Sequence, residues 1–199
     1  MANRFLKRVA SKTRPALFSL IAVASVMLAA VFCVFPASAQ TGDAFTLAPL
    51  PGTTAEPVSS RQFDSGYGIT FTDGSVPVAG TSTYPCQIGF KFNAANNGLT
   101  RTDINRTTST PEWRTMVRGI IGVLFSVTAE RPVTVQGYRG IELSVTPRSG
   151  PGSANVRGLM TMVETPKGRM TSVCMTSSAA FSKAAQRFRA LPRSATLPE

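Results

Sequence analysis

Apolar side chains recur at every second position in several short stretches of this chain, and that spacing limits the folds open to it. Tyr67, Ile69 and Phe71 alternate with Gly68, Thr70 and Thr72, and Asp73-Gly74 then marks a turn. Ile88, Phe90 and Phe92 alternate with Gly89 and Lys91, ahead of the polar stretch from Asn93 to Gly98. A period of two sets alternate side chains on opposite faces of a strand, so each stretch offers one apolar face to a core. Beyond Pro132 the period returns, with Val133 and Val135, then Ile141, Leu143 and Val145 after Gly137-Tyr138-Arg139-Gly140. This region predicts two strands, or one bent strand with a bulge at the glycines. Val156 to Val163 and Met170 to Met175 flank Thr165-Pro166-Lys167-Gly168, where Pro presets one turn angle and Gly supplies the other, so they predict a hairpin.

Two segments carry helical spacing instead. Ser109-Thr110-Pro111-Glu112 has a hydroxyl cap, an early Pro and a Glu placed for a capping box. Trp113, Met116, Val117, Ile120, Ile121 and Leu124 follow as one broad apolar stripe, and Gly119 and Gly122 weaken its end. Ser178 to Leu191 places Phe181, Ala184, Ala185, Phe188 and Leu191 on one face, and Pro192 is expected to stop it. The order strand, strand, helix, several antiparallel strands, helix predicts an α+β fold: an antiparallel β-sheet with amphipathic helices packed on it.

The first forty residues speak to location. Arg4, Lys7, Arg8, Lys12 and Arg14 precede an uncharged run from Ala16 to Phe35, and Ala37-Ser38-Ala39 stands before Gln40. A basic head, an apolar middle and small residues at the cleavage position predict a signal peptide over residues 1–39. The alternative is an uncleaved anchor over 16–35, long enough as a helix to cross a hydrocarbon core of about 30 Å. Either way the remainder lies outside the cytoplasm, periplasmic or secreted after cleavage, or inner-membrane anchored and facing the periplasm. Residues 40–60, rich in Thr, Pro, Ala and Gly, are an extended lead-in that could offer Phe45 and Leu47 to a strand edge, and a single α+β domain is expected over 61–197.

Removing 39 residues and 5 cations from 199 residues and 21 cations leaves 160 residues, with 16 cations against 10 acids, a net charge of +6. The arginines are dispersed, with no run suited to nucleic acid, so no nucleic-acid partner is expected. Cys86 and Cys174 survive cleavage, and an even count in an oxidising compartment predicts one disulfide; two buried thiols on separate strands are the alternative. The third cysteine, Cys33, lies within the apolar run.

The layout resembles the PsbP-like α/β/α sandwich. The resemblance is carried by the order of elements and by Gly137-Tyr138-Arg139-Gly140-Ile141-Glu142. The run from Gly168 through Met170 and Val173 to Cys174, and the closing helix through Phe181, Phe188 and Leu191, add to it. It covers 61–197 and extends to small exported bacterial proteins of unassigned function. The N-terminal half departs from the family's strand-rich pattern, with Gly and Thr loops standing where hairpins are usual. The resemblance implies an accessory or binding role with no catalytic residue.

The residue inventory agrees. No histidine is present, which removes the usual general base near neutral pH and the commonest transition-metal ligand. Asp64, Asp73, Asp103, Glu112, Glu130, Glu142 and Glu164 show no paired spacing, and Glu112 is read as a capping residue. Tyr67-Gly68 and the 93–98 loop match no phosphate-binding fingerprint and are read as turns, Trp113 is read as core, and Asn105-Arg106-Thr107 matches a glycosylation sequon. Arg114 and Arg118 lie four apart on the first helix, as do Lys183 and Arg187 on the last. Side by side, the two helices would form a basic surface for anionic lipid or an acidic partner. The expectation is therefore an exported, non-enzymatic binding or accessory protein without cofactor or metal, its partner an unknown protein or envelope component. A carboxylate-dependent hydrolase or lyase and a tethered structural protein are the alternatives.

Overall fold

The computed structural model describes residues 44–80 and 82–199, and the expected signal segment lies outside the described residues. Within them the chain forms nine strands and three helices: β1 (Thr46–Leu47), β2 (Thr53–Pro57), β3 (Ser65–Phe71), β4 (Cys86–Phe92), α1 (Arg101–Thr108), α2 (Pro111–Gly122), β5 (Phe125–Val135), β6 (Tyr138–Pro147), β7 (Val156–Thr165), β8 (Gly168–Ser177), α3 (Ser178–Ser194) and β9 (Ala195–Thr196). Seven strands make one antiparallel sheet in the order β2-β3-β4-β8-β7-β6-β5. Two meanders compose it, β2 to β4 and β5 to β8, joined where β4 pairs with β8.

The alternation read from the sequence sorts side chains onto two cores. Ile69, Phe71, Ile88, Phe90, Leu159, Val163, Met170 and Cys174 point toward α3, which buries Ala184, Phe188 and Leu191 against them. Ile141, Leu143, Val145, Met160, Met162 and Met175 point the other way and meet Trp113, Val117 and Ile121 of α2. Helices thus cover both faces of one antiparallel sheet, the layering expected of a PsbP-like sandwich.

At the β4–β8 seam Cys86 stands directly opposite Cys174, and the two form a disulfide. Both are fully buried in the core on the α3 side. The Pro166-Lys167 turn joins β7 to β8 as expected, with Thr165 paired to Gly168. Gly168 is required by close approach, because a Cβ there would lie 2.1 Å from the Lys91 carbonyl oxygen.

Several expectations need correction. The stretch read as a lead-in is integral where it is described. Phe45 is buried in the core on the α3 side, β1 pairs with β9 near the C-terminus, and β2 forms a sheet edge. The N-terminal half is therefore strand-rich. The alternation read over Tyr67–Phe71 and Ile88–Phe92 does form strands, and their face away from α3 carries glycines. A Cβ on Gly68 would lie 2.5 Å from the Tyr84 ring and one on Gly89 2.3 Å from that of Phe63, so rings from neighbouring loops fill the space. Tyr67-Gly68 is accordingly strand, neither turn nor ligand cradle.

Helix α1 was not foreseen. It carries the reciprocal capping box expected at Glu112, formed by Thr100 and Asp103, whereas α2 is capped by the Thr110 hydroxyl accepting from the Trp113 amide. Asn105 of the sequon is engaged inside α1. It donates to the Gly137 carbonyl at 2.9 Å and accepts from the Arg139 amide at 2.7 Å. β5 starts before Pro132, at Phe125, with a register shift between Val127 and Ala129, and the glycine region resolves into two strands around Gln136-Gly137. Pro192 does not stop α3, which runs on to Ser194; the proline sits in the last turn, where few hydrogen bonds remain to lose.

Candidate functional site: the exposed face of helix α2

Four cations were expected to make one basic surface, and the fold separates them. α2 and α3 pack on opposite faces of the sheet. Arg187 is consumed structurally: it donates to both Asp73 oxygens at 2.9 and 2.7 Å, to Ser75 and to the Gly52 carbonyl, and lies over the Phe71 ring. Hydrogen bonds from Ser75 and then from Arg187 hold the Asp73 carboxyl well below the usual carboxylate range. Lys183 remains exposed beside an open cleft next to the 73–77 turn. Arg118 pairs with Glu130 of β5. Arg114 is half-buried and lines a cleft of about 480 Å³ with Arg139. The Thr108 hydroxyl in that cleft is buried and has no hydrogen-bond partner among the described residues.

What α2 presents instead is apolar. Its hydrophobic stripe consists of two parallel rows spaced by four residues. Trp113, Val117 and Ile121 are buried, whereas Met116, Ile120 and Leu124 are exposed. Val123 joins the second row, so that the helix end offers Val123 at 73% and Leu124 at 64% exposure. A helix lying on a sheet buries one such row, and the second is surplus to folding. Large apolar residues gathered on a small surface mark contact sites more often than single exposed ones do.

The end of this ridge is held firmly. The Arg148 amide donates to the Leu124 carbonyl at 3.0 Å, and its Nε donates to the Gly122 carbonyl at 2.7 Å. Its guanidinium thereby satisfies a terminal carbonyl and places positive charge at the negative end of the helix dipole. Arg148 is exposed, so the same cation also flanks Val123 and Leu124. Sequence reasoning placed Met116, Ile120 and Leu124 in one broad apolar stripe with Trp113 and did not single out Val123 or Arg148. The available signal was the width of the stripe, which exceeds what one packed face can bury.

The carboxylates are mostly committed to ion pairs. Asp64 binds Lys91, Asp103 binds Arg106, Glu164 binds Arg169 and Glu199 binds Arg101, in addition to the Asp73, Glu130 and Glu142 pairs. Asp64 is held below its ordinary range by the Lys91 ammonium and the Phe92 amide. These groups orient strands and helix ends.

Layers, strand order and cores together define an α+β protein, one antiparallel sheet with helices on both faces. The chain is similar to cyanobacterial PsbP from Synechocystis sp. PCC 6803, with 10% identity over 77% of this chain and 86% of that one and a TM-score of 0.45. It is similar also to PA94 of Pseudomonas aeruginosa, a protein of unknown function, with 10% identity over 81% of this chain and 88% of that one and a TM-score of 0.40. No protein-family model and no curated protein matches the chain. Neither structural neighbour carries partners or chemistry over to it. Among the described residues no helix is long and apolar enough to cross a membrane.

Proposed function

We propose that this chain is an exported accessory protein of the bacterial cell envelope that acts by binding rather than by catalysis. In this reading it docks through the α2 ridge on an anionic membrane surface. The observation that carries the reading is the uncovered row Met116, Ile120, Val123 and Leu124 with Arg148 at its end. The disulfide fits an oxidising compartment.

Area and charge favour a lipid surface over a second copy. Four such part-exposed side chains present on the order of 400 Å², about half of the ~800 Å² per partner that a stable protein interface uses. Inserting half of that area among acyl chains is worth about 5 kcal/mol, and each arginine near an anionic surface adds about 1 kcal/mol. The sum suits reversible peripheral attachment, strengthened by anionic lipid and weakened by salt.

The test uses protein recovered from the soluble periplasm of cells expressing the full chain, with its N-terminus identified by mass. It should begin at Gln40 and sediment with vesicles containing phosphatidylglycerol more than with purely phosphatidylcholine vesicles. A Val123→Glu/Leu124→Glu variant should lose at least about tenfold in partitioning, because both side chains are solvent-facing and their exchange leaves the core intact. Equal partitioning of wild type and variant, or of the two vesicle types, refutes the membrane reading. Dimerisation abolished by the variant would put a second copy on the ridge instead. Recovery only as a membrane-bound chain with Met1 intact would replace export and cleavage by a tether.

A further inference from the structure

On the opposite face of the sheet from the ridge, one carboxylate is surrounded by more arginines than it can neutralise. Glu142 of β6 is 3% exposed. Arg131, its cross-strand partner on β5, donates to its two oxygens at 2.5 and 2.7 Å. Arg189 of α3 reaches the same oxygens through Nε alone, at 3.1 and 3.2 Å, which leaves both of its Nη groups without a protein acceptor among the described residues. Arg193, one helical turn further along α3, lines the same cleft and has no acidic partner among the described residues. The cleft measures about 310 Å³, and its wall includes the buried Thr161 and the exposed Thr134.

Three guanidinium groups against one carboxylate leave a local charge of +2 in a partly enclosed space. An ion pair that served folding alone would need one arginine, or two sharing the carboxylate. The third cation and the unused Nη fork are what a second anion would complete, since planar guanidinium forks match the oxygen spacing of phosphate and carboxylate groups. Two of the three arginines are also preorganised. Arg131 is placed by strand register, Arg189 and Arg193 share one helix face, and the Glu142 carboxylate orients the first two, as a preorganised site requires.

We propose that this cleft binds a small phosphate-class oxyanion. The Arg189 Nη groups and the Arg193 guanidinium hold the oxyanion, and Glu142 serves as a positioning residue that pins Arg131 and Arg189. The cleft exceeds the size of a bare phosphate, so a phosphoryl group carried on a small organic moiety also fits. The two sources share their chemistry and are separated by experiment.

Calorimetric titration of the periplasmic protein with inorganic phosphate, and separately with glycerol 3-phosphate, at matched ionic strength provides the test. Saturable binding is expected for at least one of them, with tighter binding of glycerol 3-phosphate if the organic moiety occupies the cleft. Arg193→Gln, at an exposed position, should weaken binding at least about tenfold while the thermal midpoint without ligand stays put. Arg157→Gln, an exposed arginine on β7 outside the cleft, should leave binding unchanged. Absence of saturable binding up to about 10 mM of either compound overturns the proposal and reduces the cluster to an ion-pair network. Equal weakening by both variants overturns it as well, since that outcome reports net charge rather than a site.

Discussion

Breaking the Cys86–Cys174 link should cost this domain a large share of its stability, because the bond sits where the two meanders of the sheet meet. The cysteines are 88 positions apart, and the enclosed chain contains both α1 and α2 and all of β5, β6 and β7. Closing a loop of that length removes enough unfolded-state entropy to stabilise by about 4.5 kcal/mol in the chain-entropy treatment. Replacing both fully buried cysteines by alanine also deletes two sulfurs from a packed core, for about 1–2 kcal/mol more. A sum of roughly 5.5–6.5 kcal/mol competes with the 5–15 kcal/mol typical of a whole domain. Guanidinium unfolding followed by circular dichroism separates the two parts. Reduced wild-type protein reports the link alone, and Cys86→Ala/Cys174→Ala reports link plus packing. The thermal midpoint should fall by roughly 10–18 °C on reduction. The denaturant slope should rise, because an unlinked unfolded chain exposes more surface. A reduced protein within about 1 kcal/mol of the oxidised one, with an unchanged slope, would refute the argument. It would mean that the β4–β8 pairing and its core hold the seam without the link.

Two further outcomes follow from local chemistry. Asp64, Asp73 and Asp103 all have folded-state pKa values lowered by hydrogen-bonding partners. The unfolded chain therefore takes up protons first, and the stability they contribute is complete above about pH 4 and is lost as pH falls through the folded values. Asp73→Asn should flatten the decline of the thermal midpoint below about pH 4, and parallel curves for mutant and wild type would exclude that assignment. Gln136 sits at φ 49°, and its side chain donates to the Ala195 carbonyl at 2.6 Å and accepts from the Leu197 amide at 3.1 Å. Gln136→Ala should cost about 1–2 kcal/mol in urea unfolding and speed hydrogen exchange at Leu197; unchanged exchange there would show that the clamp is idle.

The parts of the fold legible in the sequence are those in which an apolar side chain marks each inward position. β7, β8 and α3 are of this kind, as Leu159, Val163, Met170, Cys174, Phe188 and Leu191 all reach the core. Legibility fails where burial is achieved by other means. β3 and β4 were legible from their core face alone, because their other face meets Phe63 and Tyr84 with glycines and leaves no apolar signal. α1 buries only Ile104 and Thr108 and is defined by its cap and by Asn105, none of which has a hydrophobic period. β5 is an edge strand whose outward residues include Arg131 and Pro132, a composition that suppresses the alternation and also blunts the exposed edge.

The candidate surfaces on α2 and α3 depart from the sequence expectation in opposite directions for a related physical cause. On α2, periodicity identified Met116, Ile120 and Leu124 as apolar but could not say that the sheet beneath has room for one row only. On α3, spacing singled out Lys183 and Arg187, yet Arg187 is drawn to Asp73, 114 positions away in sequence. Arg189 and Arg193, also four apart on that helix, come to share a cleft with Glu142 only because β6 lies next to β7, the strand that α3 covers together with β8. Helical spacing states which side chains share a face; the sheet below decides whether that face is filled, neutralised or left open. For this protein, the α2 ridge and the arginine cleft are what the sheet leaves open, one on each face.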